Sequence, residues 1–357
     1  MPADTPRRRT ADRAPPGTGP YRFAAWDRER GGYLVRNAHF RSWSQDRPAG
    51  FVDRIEVSVR GQQNVAQHVA EVQRGIADVA VLANPFKALF PPERLGAVAV
   101  RSPGQLHSYP EPVLNYMFLN VLRPPFDDVR VRRALNYATD RARIAELEDG
   151  SSGLATATCQ ILPSGFPGHR PYCPYTARPG PGRPWSAPDM EQARRLVAES
   201  GTTGERVIVT VPDFQRDLGR YFTTLLNRLG YHASLRVMGQ DSYFRTIYEP
   251  GSRVQMGFNA WSPDYSSPST FIQPNFGCLD ILSHICDRRL TRQAERALAA
   301  PSADAAERWA AIDRRVTDLA PAVALTNRRS IELVSKRVGN VQHHVLGYTL
   351  LDQLWVR

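Results

Sequence analysis

The 357-residue sequence predicts an α/β protein of more than one domain. Two observations predict it. A strand–helix–strand order runs from Val52 to Leu82 and recurs from Arg206 to Met238. The length also exceeds a typical single domain and is enough to bury a large core.

The elements follow in chain order. Residues 1–16 carry Arg, Pro, Asp and Ala without periodicity and read as a disordered tail. Tyr21–Trp26 and Gly32–Arg36 read as strands joined by a charged turn. Val52–Val59 is a strand, Val65–Gly75 a helix and Val79–Leu82 a short buried strand; that βαβ order favours a mainly parallel sheet. Tyr116–Asn120 is an apolar strand, and Pro124 and Pro125 keep the chain extended after it. Asp127 or Asp128 then caps a helix. Val131, Ala134, Leu135, Ala138, Ala142 and Ala145 give that helix one apolar face. Arg130, Arg132, Arg133, Arg141 and Arg143 fall on its solvent side, with Asp140 and Glu146 as local partners.

Ser152–Ser186 is rich in Pro and Gly and reads as a long insertion without regular structure. A helix from Ala187 to Ser200 follows. Arg206–Val211 is a β-branched strand, and Leu218, Phe222, Leu225, Leu226 and Leu229 line a helix that stops at Gly230. Ala233–Met238 is the next strand, Ser242–Tyr248 a short helix and Val254–Ala260 a strand. Arg289–Ala299 and Ala303–Leu319 form a helical hairpin split by Pro301. Short strands at Ala322–Thr326 and Ile331–Val334 lead to a last one at Leu350–Val356.

Residue order carries more than periodicity. YMFLNVLRPPFDDVRVRRALNYATDRARI, from Tyr116 to Ile144, closely resembles an internal motif of the family 5 extracellular solute-binding proteins, the oligopeptide- and dipeptide-binding subunits of ABC importers. GTGPYRFAAWDRERGGYLVRNAHFRSW, Gly17 to Trp43, resembles the same family's GTGPY block. FVDRIEVSVR with VAEVQRGIADVAVL, NAWSPDYSSPSTFIQPNF from Asn259 to Phe276, and the tail from Ala320 to Arg357 complete the resemblance in the family's order.

The resemblance implies a two-lobed, type II periplasmic-binding-protein-like fold. Residues 17–112 and 320–357 would form lobe one, and residues 113–319 lobe two. It implies a binding protein, not an enzyme, which takes peptides or related small solutes for an ABC importer. A sensory ligand-binding domain of a transcriptional or signalling regulator is the alternative. The implied location is the extracellular or periplasmic face of the membrane, with an ABC permease as partner and the chain acting as a monomer; a fused regulator would be cytoplasmic. Family members carry a long region ahead of the GTGPY block. The chain is therefore expected to be N-terminally truncated, with lobe one incomplete and a sheet edge uncovered.

Composition narrows the alternatives. No window approaches the run of apolar residues that a membrane helix needs, and the first residues lack an apolar signal core. The net charge of +11 raises nucleic acid as a partner. Its arginines, however, are spread along the chain without clustered aromatics, so no nucleic-acid contact is expected of this segment. Lysine occurs only at Lys87 and Lys336.

Cys159 and Cys173 bracket one loop-like stretch, Cys278 and Cys286 another. Two local disulfides are expected, in an oxidising compartment. Zinc is a rival, with His169 and His284 lying inside the two loops, and free thiols are another. No nucleophile elbow, zinc helix or phosphate loop is present. Gly17–Pro20 reads as a tight turn. His343 and His344 are adjacent, so in a strand they face opposite ways and share no metal. No cofactor, metal site or catalytic residue is predicted.

The candidate ligand-binding residues are Asn259, Trp261, Asp264 and Tyr265. Two aromatics around one carboxylate at a strand end suit a small amphipathic cation, a peptide amino terminus included. Taken alone, the residues favour the plainer reading that Trp261 packs in lobe two and Asp264 caps the following helix. The resemblance implies that Asp264 pairs with a ligand's α-ammonium group.

Overall fold

In the computed structural model, residues 17–27, 29–44, 46, 48–59, 65–84, 87–88, 92–149 and 154–357 are described. The expected N-terminal tail, residues 1–16, lies outside them. The chain divides into two compact units, one of them discontinuous: residues up to Tyr109 together with Ser330–Arg357, and Pro110–Arg329.

The first unit opens with β1 (Tyr21–Asp27), β2 (Gly31–Arg36) and β3 (Arg54–Ser58), an antiparallel sheet in that order. Tyr21 faces Arg36, and Gly31 faces Ser58. Gly31 has φ +95°, and a Cβ there would lie 1.9 Å from the Val57 carbonyl oxygen, so glycine is required where the hairpin meets β3. Helix α1 (Val65–Gln73) buries Val65, Val69 and Val72. Strand β4 (Val79–Val81), the short pair β5 (Ala83–Asn84) and β6 (Lys87–Ala88), and helix α2 (Pro92–Arg101) follow. Strand β7 (Leu106–Leu119) begins here and continues into the second unit.

The second unit holds α3 (Val129–Ala138), α4 (Arg141–Asp149), β8 (Ala155–Ala157), α5 (Met190–Ser200), β9 (Arg206–Pro212), α6 (Arg216–Arg228) and β10 (His232–Met238). It continues with α7 (Gln240–Ile247), β11 (Met256–Trp261), α8 (Ser269–Phe276), α9 (Arg288–Leu298), α10 (Ser302–Leu319) and most of β12 (Ala322–Val334). Its sheet runs β10-β9-β11-β7-β12, with β8 also on β12. The core gathers Met117 and Leu119 of β7, Val131 and Leu135 of α3, Val207, Val209 and Val211 of β9, Phe222 and Leu226 of α6, and Val323 and Leu325 of β12. In the first unit β12 pairs antiparallel with β4, Glu332 opposite Val81, and the chain ends in the β13 (Val338–Gly339) and β14 (Trp355–Val356) pair.

Helix α6 follows the periodicity closely. Leu218, Phe222, Leu225, Leu226 and Leu229 are all buried, and Gly230 takes φ +97° just beyond the helix. Strands β9 and β10 are parallel, as the second βαβ pattern requires.

Five expectations are corrected. The sheet is mixed rather than mainly parallel: β11 runs antiparallel to β7 and parallel to β9. Strands β3 and β4 join different sheets, so Val52–Leu82 is not a βαβ unit; periodicity identifies strands but not their partners. The two short strands near the C-terminus are one, β12, because Asn327, Arg328 and Ser330 are buried in it despite their polarity. Only Trp355–Val356 of the last expected strand pairs.

The fifth correction concerns the helix after Pro125. Asp128 does cap it, accepting from the Arg130 N–H at 2.7 Å. It breaks, however, at Thr139–Asp140 into α3 and α4. The Thr139 hydroxyl donates back to the Leu135 carbonyl at 2.6 Å, and Asp140 caps α4 by accepting from the Arg143 N–H. Ala142 is consequently exposed, and Ile144 is buried in its place. The break turns Arg141 inward. Its side chain is fully buried and donates to the carbonyls of Thr158 and Ala324, each at 2.9 Å, and to Asn136. Arg132 is buried too and donates to the carbonyls of Phe126 and Leu319. Of the arginines expected in solvent, Arg130 and Arg143 are exposed, the latter paired with Glu146.

Candidate functional site

Both disulfides form, Cys159–Cys173 and Cys278–Cys286. The first staples the long irregular insertion, which is also anchored by buried Asp313 of α10. The Asp313 carboxylate accepts from Gln160 Nε2 at 2.5 Å and from the N–H groups of Ile161 and Leu162. Burial pushes its pKa up to about 6. The second closes a loop around buried Asp280, which accepts from the N–H groups of Leu282 and Ser283. Burial pushes Asp280 up to about 6 as well. Among the described residues, no group of three or more His, Cys, Asp or Glu side chains could hold a metal ion, and no helix is long and apolar enough to cross a membrane. His343 stacks on Tyr109, with ring centroids 3.6 Å apart, while His344 stacks on Tyr348.

The four candidate ligand residues lie together at the end of β11, but in two layers. Asn259 is the inner one, 2% exposed and opposite Tyr116 in the β7–β11 ladder. Its amide donates to the Tyr116 hydroxyl at 2.7 Å and its oxygen accepts from Tyr248 at 3.2 Å. Tyr116 in turn donates to Asn275 of α8 at 3.1 Å, and Asn275 donates to the Phe271 carbonyl. Burial, with Asp280 nearby, raises the Tyr116 pKa well above its ordinary value, and burial raises Tyr248 too. Both phenols therefore act as neutral links in a satisfied chain. Glycine is required beside it, since a Cβ on Gly257 would lie 2.6 Å from the Tyr243 hydroxyl.

The outer layer is Trp261, Asp264 and Tyr265, and α8 holds all of it. Trp261 is half-buried and donates its indole N–H to the Thr270 carbonyl at 2.7 Å. Thr270 also fixes Asp264: its hydroxyl accepts the Asp264 N–H at 3.0 Å and lies 3.3 Å from Oδ2. Tyr265, 52% exposed, meets the Ser269 hydroxyl at 3.1 Å. Asp264 does not cap α8, whose N-cap is Pro268 without a side-chain bond. Its carboxylate is exposed and forms no ion pair among the described residues. The arrangement ties one exposed carboxylate and two aromatic residues, each by its own hydrogen bond, to the first two residues of α8. Sequence reasoning missed Thr270, Ser269, Tyr116 and Tyr248, which hold this set in place. The SPST stretch that leads into α8 is the one signal that could have pointed to the first two.

A family model, Bacterial extracellular solute-binding proteins, family 5 Middle, matches residues 1–282. The chain belongs to this family. It is 28% identical over 291 residues to "Probable di/tripeptide-binding protein 5" of Pseudomonas aeruginosa, covering 79% of this chain and 49% of that protein. It is 31% identical over 190 residues to the glutathione-binding protein GsiB of Pectobacterium atrosepticum, covering 52% of this chain and 31% of the other. Among solved structures it resembles clavulanic acid biosynthesis oligopeptide binding protein 2 with a TM-score of 0.79 at 22% identity, covering 95% of this chain and 63% of that one. HbpA2 from Haemophilus parasuis matches with a TM-score of 0.76 at 18% identity, covering 96% and 64%. The fold is thus the two-lobed α/β fold of periplasmic binding proteins. The chain spans about half or less of the length of these two curated relatives.

Proposed function

We propose that this chain is the binding portion of a solute-binding subunit that takes peptides or related small solutes for an ABC importer. The observation that carries the reading is the exposed, unpaired Asp264 carboxylate fixed by Thr270 between Trp261 and Tyr265. Asp264 anchors the cationic end of the solute, the two aromatics flank it, and Asn259 holds the strand beneath them. The names of the relatives, a di/tripeptide-binding protein and a glutathione-binding protein, support a solute of peptide character. Placement outside the cytoplasm belongs to the same reading. It is supported by membership of an extracellular family and by two disulfides, which persist in oxidising compartments. Titration calorimetry against a library of di- and tripeptides tests it. The reading requires saturable binding of at least one member at micromolar concentrations, and a complete lack of binding across the library would count against it.

A further inference from the structure

A cavity of about 440 Å³ lies within the second unit, where α7 gives way to β11. Its volume falls within the roughly 300–1,000 Å³ of small-molecule sites. Ile208 and Thr210 of β9 and Val254 line it. Val207, Val209 and Val211 belong to the core, so Ile208 and Thr210 lie on the other face of the sheet. Arg236 of β10 stands opposite Thr210 in the parallel ladder and lines the same cavity. Glu249 and Arg253, from the segment between α7 and β11, line it as well. The whole of β11, six residues and about 20 Å at the usual strand rise, lies between Val254 and Asp264.

The donors around the cavity divide into spent and free. Thr246 donates its hydroxyl to the Ser242 carbonyl at 2.8 Å, and Gln255 donates to the carbonyls of Pro124 and Arg206. The side chains of Thr210, Arg236 and Arg253 have no hydrogen-bond or ion-pair partner among the described residues. Thr210 is the informative one, because it is 2% exposed. A buried hydroxyl is nearly always paired, and one that faces a cavity is completed by what enters it. Two guanidinium groups outnumber the single carboxylate of Glu249, so the cavity favours an anion. Donors at three separate chain positions suit a tetrahedral oxyanion, which offers three acceptor oxygens, better than a planar carboxylate. Ile208, Pro250 and Val254 supply an apolar wall. We propose that this cavity is a second ligand site, distinct from the Asp264 set, for a small molecule that carries a phosphate-type oxyanion on an apolar body.

Phenyl phosphate is the probe, with phenol and inorganic phosphate as controls for its two halves. Calorimetry is expected to show saturable binding of phenyl phosphate, weaker binding of inorganic phosphate and none of phenol. Arg236→Gln and Arg253→Gln should each weaken phenyl phosphate by about tenfold, the worth of a charge-assisted hydrogen bond. Glu249→Gln should tighten it, since the one opposing charge is removed. Thr210→Val should weaken it and melt no lower than wild type, because the hydroxyl has no partner to lose. Asp264→Asn should bind phenyl phosphate as wild type does. The proposal is overturned by a lack of saturable binding at millimolar phenyl phosphate, by an affinity indifferent to both arginine substitutions, or by loss of binding in Asp264→Asn. A Thr210→Val protein that unfolds several degrees lower would overturn it too. Peptide binding without a phenyl phosphate response would keep the importer reading and remove this site. Phenyl phosphate binding without any peptide binding would do the reverse.

Discussion

Thr270 grips Asp264 at two points, accepting its backbone N–H at 3.0 Å and standing 3.3 Å from its carboxylate oxygen. The same residue's carbonyl takes the Trp261 indole N–H at 2.7 Å. One residue at the start of α8 therefore holds both Asp264 and Trp261. Thr270→Val keeps the shape and the carbonyl but removes the hydroxyl. Each lost hydrogen bond is worth about 1 kcal/mol. The expected result is a small loss in denaturant stability and a several-fold weaker solute affinity by calorimetry, with Trp261 undisturbed.

Arg141 is predicted to be one of the costliest residues in the second unit to replace. Burial pulls its pKa down to about 10, so it remains protonated at neutral pH and donates charged hydrogen bonds to Thr158, Ala324 and Asn136. Arg141→Met strands those acceptors. Bonds to charged groups are worth about 1.5–3 kcal/mol each, so urea unfolding should show a loss of about 3 kcal/mol or more. Arg143→Ala, two residues on and on the solvent side of the helix, should leave the unfolding midpoint unchanged.

How much of this was legible follows from what a sequence pattern encodes. Helix α6 was legible because Leu218, Phe222 and Leu226 lie on one face at helical spacing and all are buried. The cysteine pairs were legible because each pair closes a short loop. Arg141 was not: an arginine within an amphipathic run reads as solvated, and only the break at Thr139 turns it inward. Nor was the split of β3 and β4 between sheets, because partner choice depends on contacts distant in sequence. For the candidate site, Trp261, Asp264 and Tyr265 were visible as a motif, while Thr270, Tyr116 and Tyr248 declare themselves only through three-dimensional contact.

The pH dependence of stability is predicted to carry an unusual slope. Burial raises Asp280 and Asp313 to about 6 from an ordinary value of 3.8. Between those values the folded chain binds more protons than the unfolded chain, so stability falls as pH rises. The contribution of these two groups is fully present only below the ordinary value of 3.8 and is lost as pH rises through about 6, up to a few kcal/mol in total. Asp128 acts the opposite way. Hydrogen bonds from Arg130 lower its pKa, so its contribution is lost only as pH falls below the ordinary carboxylate range. Urea unfolding at intervals from pH 4.5 to 7 should show the falling limb, and Asp280→Asn should flatten it.

Removing the Cys159–Cys173 bridge by a double serine substitution is predicted to lower stability by about 3 kcal/mol, the chain-entropy value for a loop of roughly fifteen residues. The bonds from Gln160, Ile161 and Leu162 to Asp313 lie inside the stapled segment. Amide exchange at Ile161 and Leu162 should therefore accelerate with the bridge gone. Unchanged exchange there would show that Asp313 alone is enough to hold the insertion.

The most direct test of the central claim compares one peptide in two forms on two proteins. A peptide that binds wild type is measured with a free amino terminus and with that terminus acetylated, against wild type and Asp264→Asn, by calorimetry. A charge-assisted hydrogen bond is worth roughly 1.5–3 kcal/mol, so wild type should favour the free amine by about tenfold or more, and Asp264→Asn should lose most of that preference. Equal binding of both forms by wild type, or an undiminished preference in Asp264→Asn, would contradict the assignment of Asp264 as the anchor for the cationic end of the solute.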